Sequence, residues 1–212
     1  MRHTVRCLSI VTVLGLACAT PRAARADDTI KRPGDHPHYS VELEPHGLIA
    51  WSDQWVGTGF GLGGRVSIAL THDGFVKSIN NSVAIGLGID WAHYGGNGCV
   101  YDPRFPNYCY GYGYYGSADF IQFPIVMQWN FYVAEHWSVF GEPGLYIWHG
   151  IYNYPCNAPG LPNCAYYGYY GDQTGVGPAF WVGGRYHFSD SVSLTMRLGY
   201  PDLLTIGASF FL

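Results

Sequence analysis

Residues 121–133, with the sequence Ile-Gln-Phe-Pro-Ile-Val-Met-Gln-Trp-Asn-Phe-Tyr-Val, decide the fold. Every second side chain from 121 to 133 is large and apolar, whereas Gln122, Gln128 and Asn130 lie on the other face. A period of two is typical of a β-strand, because successive side chains of a strand point to opposite faces of its sheet. The stretch is also longer than the roughly 9–11 residues that a tilted strand needs to cross a bilayer.

The same alternation recurs along the chain and predicts eight strands. In 192–200, for example, Leu194, Met196 and Leu198 alternate with small or polar residues. After residue 26 the chain has no run of 18 apolar residues, so the pattern favours strands over a transmembrane helix. The predicted strands are 39–51, 57–70, 82–94, 118–133, 137–149, 175–188, 192–200 and 203–212.

The character of the two strand faces indicates which of them points outward. The polar face carries mainly small residues and a few charges, which suits a narrow interior, whereas a soluble eight-stranded barrel has its apolar face inside. Aromatic residues near the strand ends match the girdles of membrane barrels. They are Trp51, Trp91, Trp129, Trp137, Phe188, Tyr200 and Phe210. We therefore predict an all-β fold, an eight-stranded antiparallel up-and-down transmembrane β-barrel.

Residues 1–26 are predicted to be a cleaved signal peptide. Arg2 and Arg6 precede an apolar run, and Ala24-Arg25-Ala26 is a small-x-small cleavage site. A lipoprotein, with Cys18 as the lipidated residue, is the alternative. The predicted organisation is a signal peptide over 1–26, a flexible N-terminal segment over 27–38 and the barrel over 39–212.

Cleavage would leave a strongly acidic chain. Four of the 11 Lys and Arg residues lie within 1–26, whereas all 15 Asp and Glu residues follow it. Seven basic against 15 acidic residues give a formal charge of −8. This balance argues against nucleic acid as a partner.

Four cysteines lie in the exported part as two close pairs, Cys99 with Cys109 and Cys156 with Cys164. Three connectivities are open, and we expect the two local pairs, since each closes a short loop and export favours disulfides. Metal binding is the alternative. The spacings are unlike those of zinc sites, so neither a metal nor another cofactor is expected.

The connections between the predicted strands fall into two classes when the N-terminus is placed in the periplasm. The longest, 95–117 and 150–174, both fall outside, and the tight ones, 134–136 and 189–191, fall inside, which is the asymmetry of outer-membrane barrels. Both long loops contain Tyr-Gly-Tyr-Tyr-Gly. The repeat indicates either a pair of disulfide-pinned caps without a ligand or a paired surface for a glycan or protein ligand. The candidate binding residues are Tyr112, Tyr114, Tyr115, Tyr167, Tyr169 and Tyr170.

With these strands and loops, and with a last segment Thr-Ile-Gly-Ala-Ser-Phe-Phe-Leu over 205–212, the chain resembles the small outer-membrane barrels of the OmpA-transmembrane and OmpX type. Those barrels usually end in Phe or Trp, whereas this chain ends in Leu212. The resemblance implies a monomer in the outer membrane of a Gram-negative bacterium, reached through the periplasm. It also implies contact with outer-membrane lipid and lipopolysaccharide, and recognition of the last strand by the barrel-assembly machinery.

Strand parity also places charges of both signs on the inward face. Because charges in a narrow barrel are costly unless they are paired, we predict an ion-pair network that plugs the lumen. Its members are Glu42, Glu44, Arg65, Asp90, Glu142, Arg185 and Arg197.

The sequence thus predicts a non-enzymatic barrel with a structural or surface-interaction role. A narrow gated pore is the first alternative, and a lipid A-modifying enzyme is the second. For the second, the candidate groups near the outer rim are His93, His149, Ser117 and Asp119, which form no recognisable catalytic motif in the sequence.

Overall fold

The computed structural model describes residues 29–52, 57–95, 117–153, 172–202 and 204–212. Within them, each strand pairs antiparallel with the next, and the last strand pairs with the first, so that the sheet closes into an eight-stranded barrel. The strands are β1 (Val41–Ser52), β2 (Gly57–Thr71), β3 (Asn81–Gly95), β4 (Ser117–Ala134), β5 (Trp137–Asn153), β6 (Gln173–Ser189), β7 (Val192–Tyr200) and β8 (Leu204–Phe211). The predicted fold is confirmed. The largest difference in bounds is at the end of β5, predicted at residue 149 and found at Asn153.

The barrel is apolar outside and polar inside. On β4, Ile125 and Met127 are each 37% exposed, whereas Gln128 and Asn130 on the opposite face are fully buried. Only a closed sheet pairs every backbone group without an edge, which is the condition for strands that cross lipid. In the part of the chain that the structure describes, no helix is long and apolar enough to cross a membrane. The outward aromatic residues near strand ends include Trp91, Trp137, Phe188, Tyr200 and Phe210, and the side chain of Trp51 lies outside the described part.

The two ends of the barrel differ in their connections. We call the end with the connections 72–80, 135–136 and 190–191 the turn end. We call the other end, with the connections 53–56, 96–116, 154–172 and 201–203, the loop end. The turn end carries the connections that the sequence predicts to lie in the periplasm.

The two strands of the β7–β8 hairpin are shorter than the neighbouring strands. At this hairpin the barrel wall therefore extends less far toward the loop end. The first pair between β6 and β7 joins Phe180 and Tyr200, so β6 has no β7 partner over 173–179 in the described register. Through this notch the inward Tyr146 on β5 donates a hydrogen bond from its hydroxyl to that of the outward Tyr200, at 3.2 Å. The buried Tyr146 ring therefore occupies the gap in the wall.

Residues 29–40, which we call the N-terminal strap, pack against the turn end. The Asn80 backbone N–H donates to the Ile30 carbonyl at 2.7 Å, and the Asn80 side-chain amide donates to the Asp35 carbonyl at 2.7 Å. The His36 Nδ1–H donates to the Asn80 Oδ1 at 2.6 Å, and its ring stacks on buried Tyr132 with 4.2 Å between ring centroids. The segment predicted to be flexible thus makes specific contacts with the barrel in the structure.

Candidate functional site

The interior contains three arginines, each bonded to carboxylates, and Arg185 on β6 lies nearest the turn end. Its Nη2 donates to both carboxylate oxygens of Glu42 on β1, at 2.7 and 2.9 Å. Its Nη1 donates to the Asn130 Oδ1 at 2.7 Å, and the guanidinium lies 4.5 Å from the centroid of the Phe140 ring. A bidentate arginine–carboxylate pair of this kind combines charge with fixed geometry.

Arg197 on β7 forms the second layer, about midway along the barrel. Its two Nη groups donate to the two carboxylate oxygens of Glu44, the second at 2.7 Å, and its Nε donates to the Glu142 Oε2 at 3.0 Å. Ser209 on β8 donates to the same Glu44 carboxylate at 3.1 Å. One guanidinium therefore joins carboxylates from β1 and β5 across the lumen.

Arg65 on β2 forms the third layer, toward the loop end. Its Nη1 donates to the Glu142 Oε2 at 2.5 Å, and its Nη2 lies 3.8 Å from the Asp90 Oδ2. The other oxygen of Asp90 is 2.8 Å from the His46 Nε2, and the Gln128 amide donates to Glu142 at 2.7 Å. Glu142, fully buried, thus accepts hydrogen bonds from two arginines and an amide.

Asp202, in the connection between β7 and β8, adds a carboxyl group that sequence parity did not find. It is fully buried, and burial together with the nearby Asp90 raises its pKa to about 7. Because it lies in a connection and not in a strand, the alternation of side chains said nothing about where it points. Its only sequence signal is its place in a very short connection.

Small residues make room for these long side chains. A Cβ at Gly63 would collide with the carboxylate of Asp90, and its second neighbour would be the His46 imidazole. At Gly183 a Cβ would collide with the Phe140 ring, on which Arg185 stacks. The small residues on the inward face are therefore the counterpart of the large charged ones, since both must fit in one narrow interior.

Beyond Arg65, toward the loop end, the interior becomes apolar and aromatic. One cluster consists of Leu48, Ala50, Ala92 and Tyr94, with Phe120 packed against it. A second cluster consists of Val126, Tyr146, Ala179 and Trp181, with Trp148 packed against it. The charged layers and the aromatic clusters therefore both lie on the inward face of the barrel.

The structure brings all seven charged residues named from the sequence into one connected set, which Gln128 and Asn130 complete, whereas the buried Asp202 lies near Asp90 without a hydrogen bond to the set in the described contacts. The four loop cysteines, Cys99, Cys109, Cys156 and Cys164, lie outside the described residues. So do Tyr112, Tyr114, Tyr115, Tyr167, Tyr169 and Tyr170, and residues 1–28. Within the described ranges, no three His, Cys, Asp or Glu side chains are arranged to hold a metal ion.

A closed antiparallel sheet with an apolar exterior and a charged interior defines a transmembrane β-barrel. No model of a known protein family matches the chain, and no curated protein matches it. Among solved structures it is similar to Ail, the attachment invasion locus protein of Yersinia pestis, with 10% identity over 82% of this chain and 98% of that one, at a TM-score of 0.46. The N-terminal barrel of Pseudomonas aeruginosa OprF has 15% identity over 80% of this chain and 95% of its own, at a TM-score of 0.39.

Neisserial surface protein A is similar at the same level, with 11% identity over 81% of this chain and 96% of that one, and a TM-score of 0.39. The resemblance to small outer-membrane barrels is confirmed in the architecture, since all eight strands and their closure are present. At these identities and TM-scores, the relatives contribute nothing to the assignment of a function.

Proposed function

We propose that this chain is an outer-membrane barrel whose lumen is closed and which acts through its surfaces. It would reach the outer membrane of a Gram-negative bacterium through the periplasm, after removal of residues 1–26 and with its last strand recognised by the barrel-assembly machinery. The barrel would be a monomer surrounded by lipid and lipopolysaccharide. The observation that carries the closed lumen is the chain of buried hydrogen bonds that runs from Glu42 through Arg185, Asn130 and Gln128 to Glu142, which also binds Arg197 and Arg65.

The free energy needed to open the lumen supports a closed one. Moving Arg197 aside would break its bonds to Glu44 and Glu142 at once and leave buried charges without partners, which costs several kcal/mol for each ion. Thermal fluctuations rarely supply that much. The aromatic clusters toward the loop end narrow the same interior, so the openings of a variant that lacks the charge pairs should be brief.

The remaining surfaces for function are the external loops. We propose that the local cysteine pairs close them as disulfides and that their repeated tyrosines bind a glycan or protein ligand. An eight-stranded wall closed by hydrogen bonds would be the rigid base from which they act. This part of the proposal rests on the sequence repeat, in which Tyr-Gly-Tyr-Tyr-Gly over 112–116 recurs 55 residues later over 167–171.

Single-channel recording of the refolded chain in planar bilayers tests the closed lumen. We expect no conductance from the native chain. We expect brief openings from Glu44→Ala/Glu142→Ala, which removes both carboxylate partners of Arg197. Glu135→Ala, at an exposed position in the β4–β5 turn, is the matched control and should behave like the native chain. A steady conductance of the native chain would replace the plug with the gated pore.

A further inference from the structure

The outward wall of the barrel contains one charged side chain, Asp119, where β3 and β4 approach the loop end. On the described strands, all other Asp, Glu, Lys and Arg residues face inward. Further toward the turn end the outer wall is apolar, as Phe123 on the same strand and Ile89 on the next one illustrate with exposures of 41% and 53%. The cost of a charge on the lipid-facing side falls toward the polar edge of the bilayer, where Asp119 lies near the start of β4, so its role has to be read from its contacts.

The Asp119 carboxylate accepts a hydrogen bond from an imidazole. In the register of β3 and β4 it lies directly opposite His93, and the His93 Nδ1–H donates to the Asp119 Oδ1 at 2.9 Å. The Trp91 indole N–H donates to the same oxygen at 3.2 Å. The His93 side chain is 45% exposed and that of Asp119 is 24% exposed, so the pair is partly sheltered but accessible. With Nδ1 bonded to the carboxylate, the free nitrogen of the ring is Nε2.

Ser117 lies across the strand pair from Gly95, the residue that the free nitrogen approaches. The His93 Nε2 lies 4.0 Å from the position that a Cβ of Gly95 would take, and Gly95 is paired directly with Ser117. Ser117 and Asp119 share the outward face of β4, and His93 is the diagonal neighbour of Ser117, within the reach of a long or aromatic side chain. Because Gly95 has no side chain, nothing on β3 stands between the imidazole and the hydroxyl. Carboxylate, imidazole and hydroxyl therefore follow one another along two neighbouring strands.

An apolar groove of about 580 Å³ begins at the same imidazole. Phe60, Leu62 and Trp91 line it on the lipid-facing wall, and His93 and Gly95 line its end toward the loops. Phe60 and Leu62 are 65% and 67% exposed, so the groove opens toward lipid and not toward the lumen. A fatty acyl chain lying in it would place its ester group, at the polar edge of the bilayer, beside His93.

We propose that Ser117, His93 and Asp119 form an ester-hydrolysing site on the outer wall, with O-acylated membrane lipids as substrates. A nucleophile, a base and a group that orients the base are the three parts that acyl transfer requires. This activity would lie outside the barrel, so it is independent of whether the lumen is closed. It favours the lipid-modifying alternative over the non-enzymatic role that the sequence predicts.

In the first step, the Ser117 Oγ bonds to the ester carbonyl carbon while its proton passes to the His93 Nε2. The bond from that carbon to the alcohol oxygen then breaks, and His93 gives the proton to the departing alcohol, leaving the acyl group on Ser117. Water next adds to the acyl carbon and gives its proton to His93, which returns it to the Ser117 Oγ as that bond breaks. One ester and one water give one fatty acid and one alcohol. Asp119 is a positioning residue that keeps the imidazole in the required tautomer.

The test is fatty-acid release by the refolded full-length barrel in mixed micelles with EDTA, measured by mass spectrometry. One arm offers lipid A and the other offers a diacyl phosphatidylethanolamine, so the arm that is hydrolysed identifies the source of the ester. We expect Ser117→Ala and His93→Asn to reduce release at least about 100-fold, which is the usual size of a general-base contribution. Asp119→Asn should reduce kcat more than KM, because it affects the base and not the groove.

His149→Asn is the matched control, because His149 lies on the same outer wall near the same rim. Its Nδ1 is bonded to the Thr174 hydroxyl at 2.8 Å and not to a carboxylate. This variant should keep the activity of the native chain. Folding of every variant is checked by the shift in gel mobility that native barrels show before heating.

A fluorophosphonate probe gives a second readout that does not depend on the hydrolysis of a lipid. It should label Ser117 in the native chain, as located by peptide mass mapping, and the label should decrease in His93→Asn but not in His149→Asn. The proposal is overturned if the folded native chain releases no fatty acid in either arm. It is also overturned if release survives Ser117→Ala, or if the probe labels another serine. None of these results would alter the conductance expected of a closed lumen, so the two proposals fail separately.

Discussion

Glu142→Gln is the change that tests the interior most directly, because it keeps the size of the side chain and removes its charge. Glu142 accepts hydrogen bonds from Arg65 at 2.5 Å, from Arg197 at 3.0 Å and from Gln128 at 2.7 Å. In the variant, one carboxylate oxygen is replaced by an amide group that can only donate. At least one of these three donors then meets another donor, in a place that water does not reach.

The expected cost is about 3 kcal/mol of unfolding free energy. A hydrogen bond to a charged group contributes about 1.5–3 kcal/mol, and removing one partner of a buried ion pair costs about 3–5 kcal/mol. Arg197 keeps its two bonds to Glu44, so the expected loss of unfolding free energy lies at the lower end of the range for a broken buried ion pair. Arg65 is affected more, since its remaining carboxylate, Asp90, lies 3.8 Å away.

The assay is equilibrium unfolding in urea of the barrel in lipid vesicles, followed by tryptophan fluorescence and by gel mobility. Glu135→Gln is the same substitution at an exposed turn position and should change stability by less than about 0.5 kcal/mol. In a double-mutant cycle, Arg65→Gln and Glu142→Gln should couple by more than about 1 kcal/mol, because they share a direct contact. If Glu142→Gln were as neutral as Glu135→Gln, the reasoning that buried pairing holds this interior together would be refuted.

Three further changes test other parts of the barrel. Asp202→Asn should stabilise the barrel at pH 8 by up to about 4 kcal/mol and leave it nearly unchanged at pH 4, because above about pH 4 the carboxyl of the unfolded chain ionises while that of the folded chain stays protonated up to about pH 7. His36→Phe should remove the pH dependence of strap docking, measured by hydrogen exchange of residues 29–40, while keeping the stack on Tyr132. Gly63→Ala should reduce the yield of folded barrel in vesicles, because its Cβ would collide with Asp90.

The direction in which pH affects docking of the N-terminal strap follows from the surroundings of His36. Burial, with His38 and His72 nearby, lowers the pKa of His36, so the undocked ring takes up a proton more readily than the docked one. Docking should therefore weaken as the pH falls below about 6.5, the ordinary pKa of histidine. His38→Phe is the comparison, since His38 has no hydrogen bond to Asn80 in the described contacts. Equal protection of the native strap at pH 5 and pH 7.5 would contradict this prediction for His36. For Asp202, the contradicting result is an Asp202→Asn variant that is only as stable as the native chain at pH 8.

The inward charges were predictable, because a strand has a strict period of two. Once Ile125 and Met127 are assigned to the outside, Gln128 must face inside, and the same parity holds for Glu42 and Arg197 on their own strands. Parity says nothing about which inward residues meet. Glu42 and Arg185 are 143 positions apart, and their contact exists only because β8 closes on β1 and fixes the register around the barrel.

In the candidate site on the outer wall, too, the sequence indicates the residues and only the fold decides which of them meet. His93, Ser117 and Asp119 were named from the sequence only as groups near a rim. The connection 96–116 separates β3 from β4, and neither its length nor its composition fixes the register in which the two strands pair. A register shifted by two residues would place His93 opposite Ile121 and would leave Asp119 without its imidazole.

The stretch 121–133 and its counterparts thus determined the class of fold by themselves, because lipid outside and charge inside require alternation in every strand. Tertiary structure alone decided the partners: the bonds of Glu142 to Arg65 and Arg197, the burial of Asp202, and the approach of Asp119 to His93. The physical reason is that alternation is a property of each strand, whereas register and closure are properties of pairs of strands. Only the closed barrel fixes them all together.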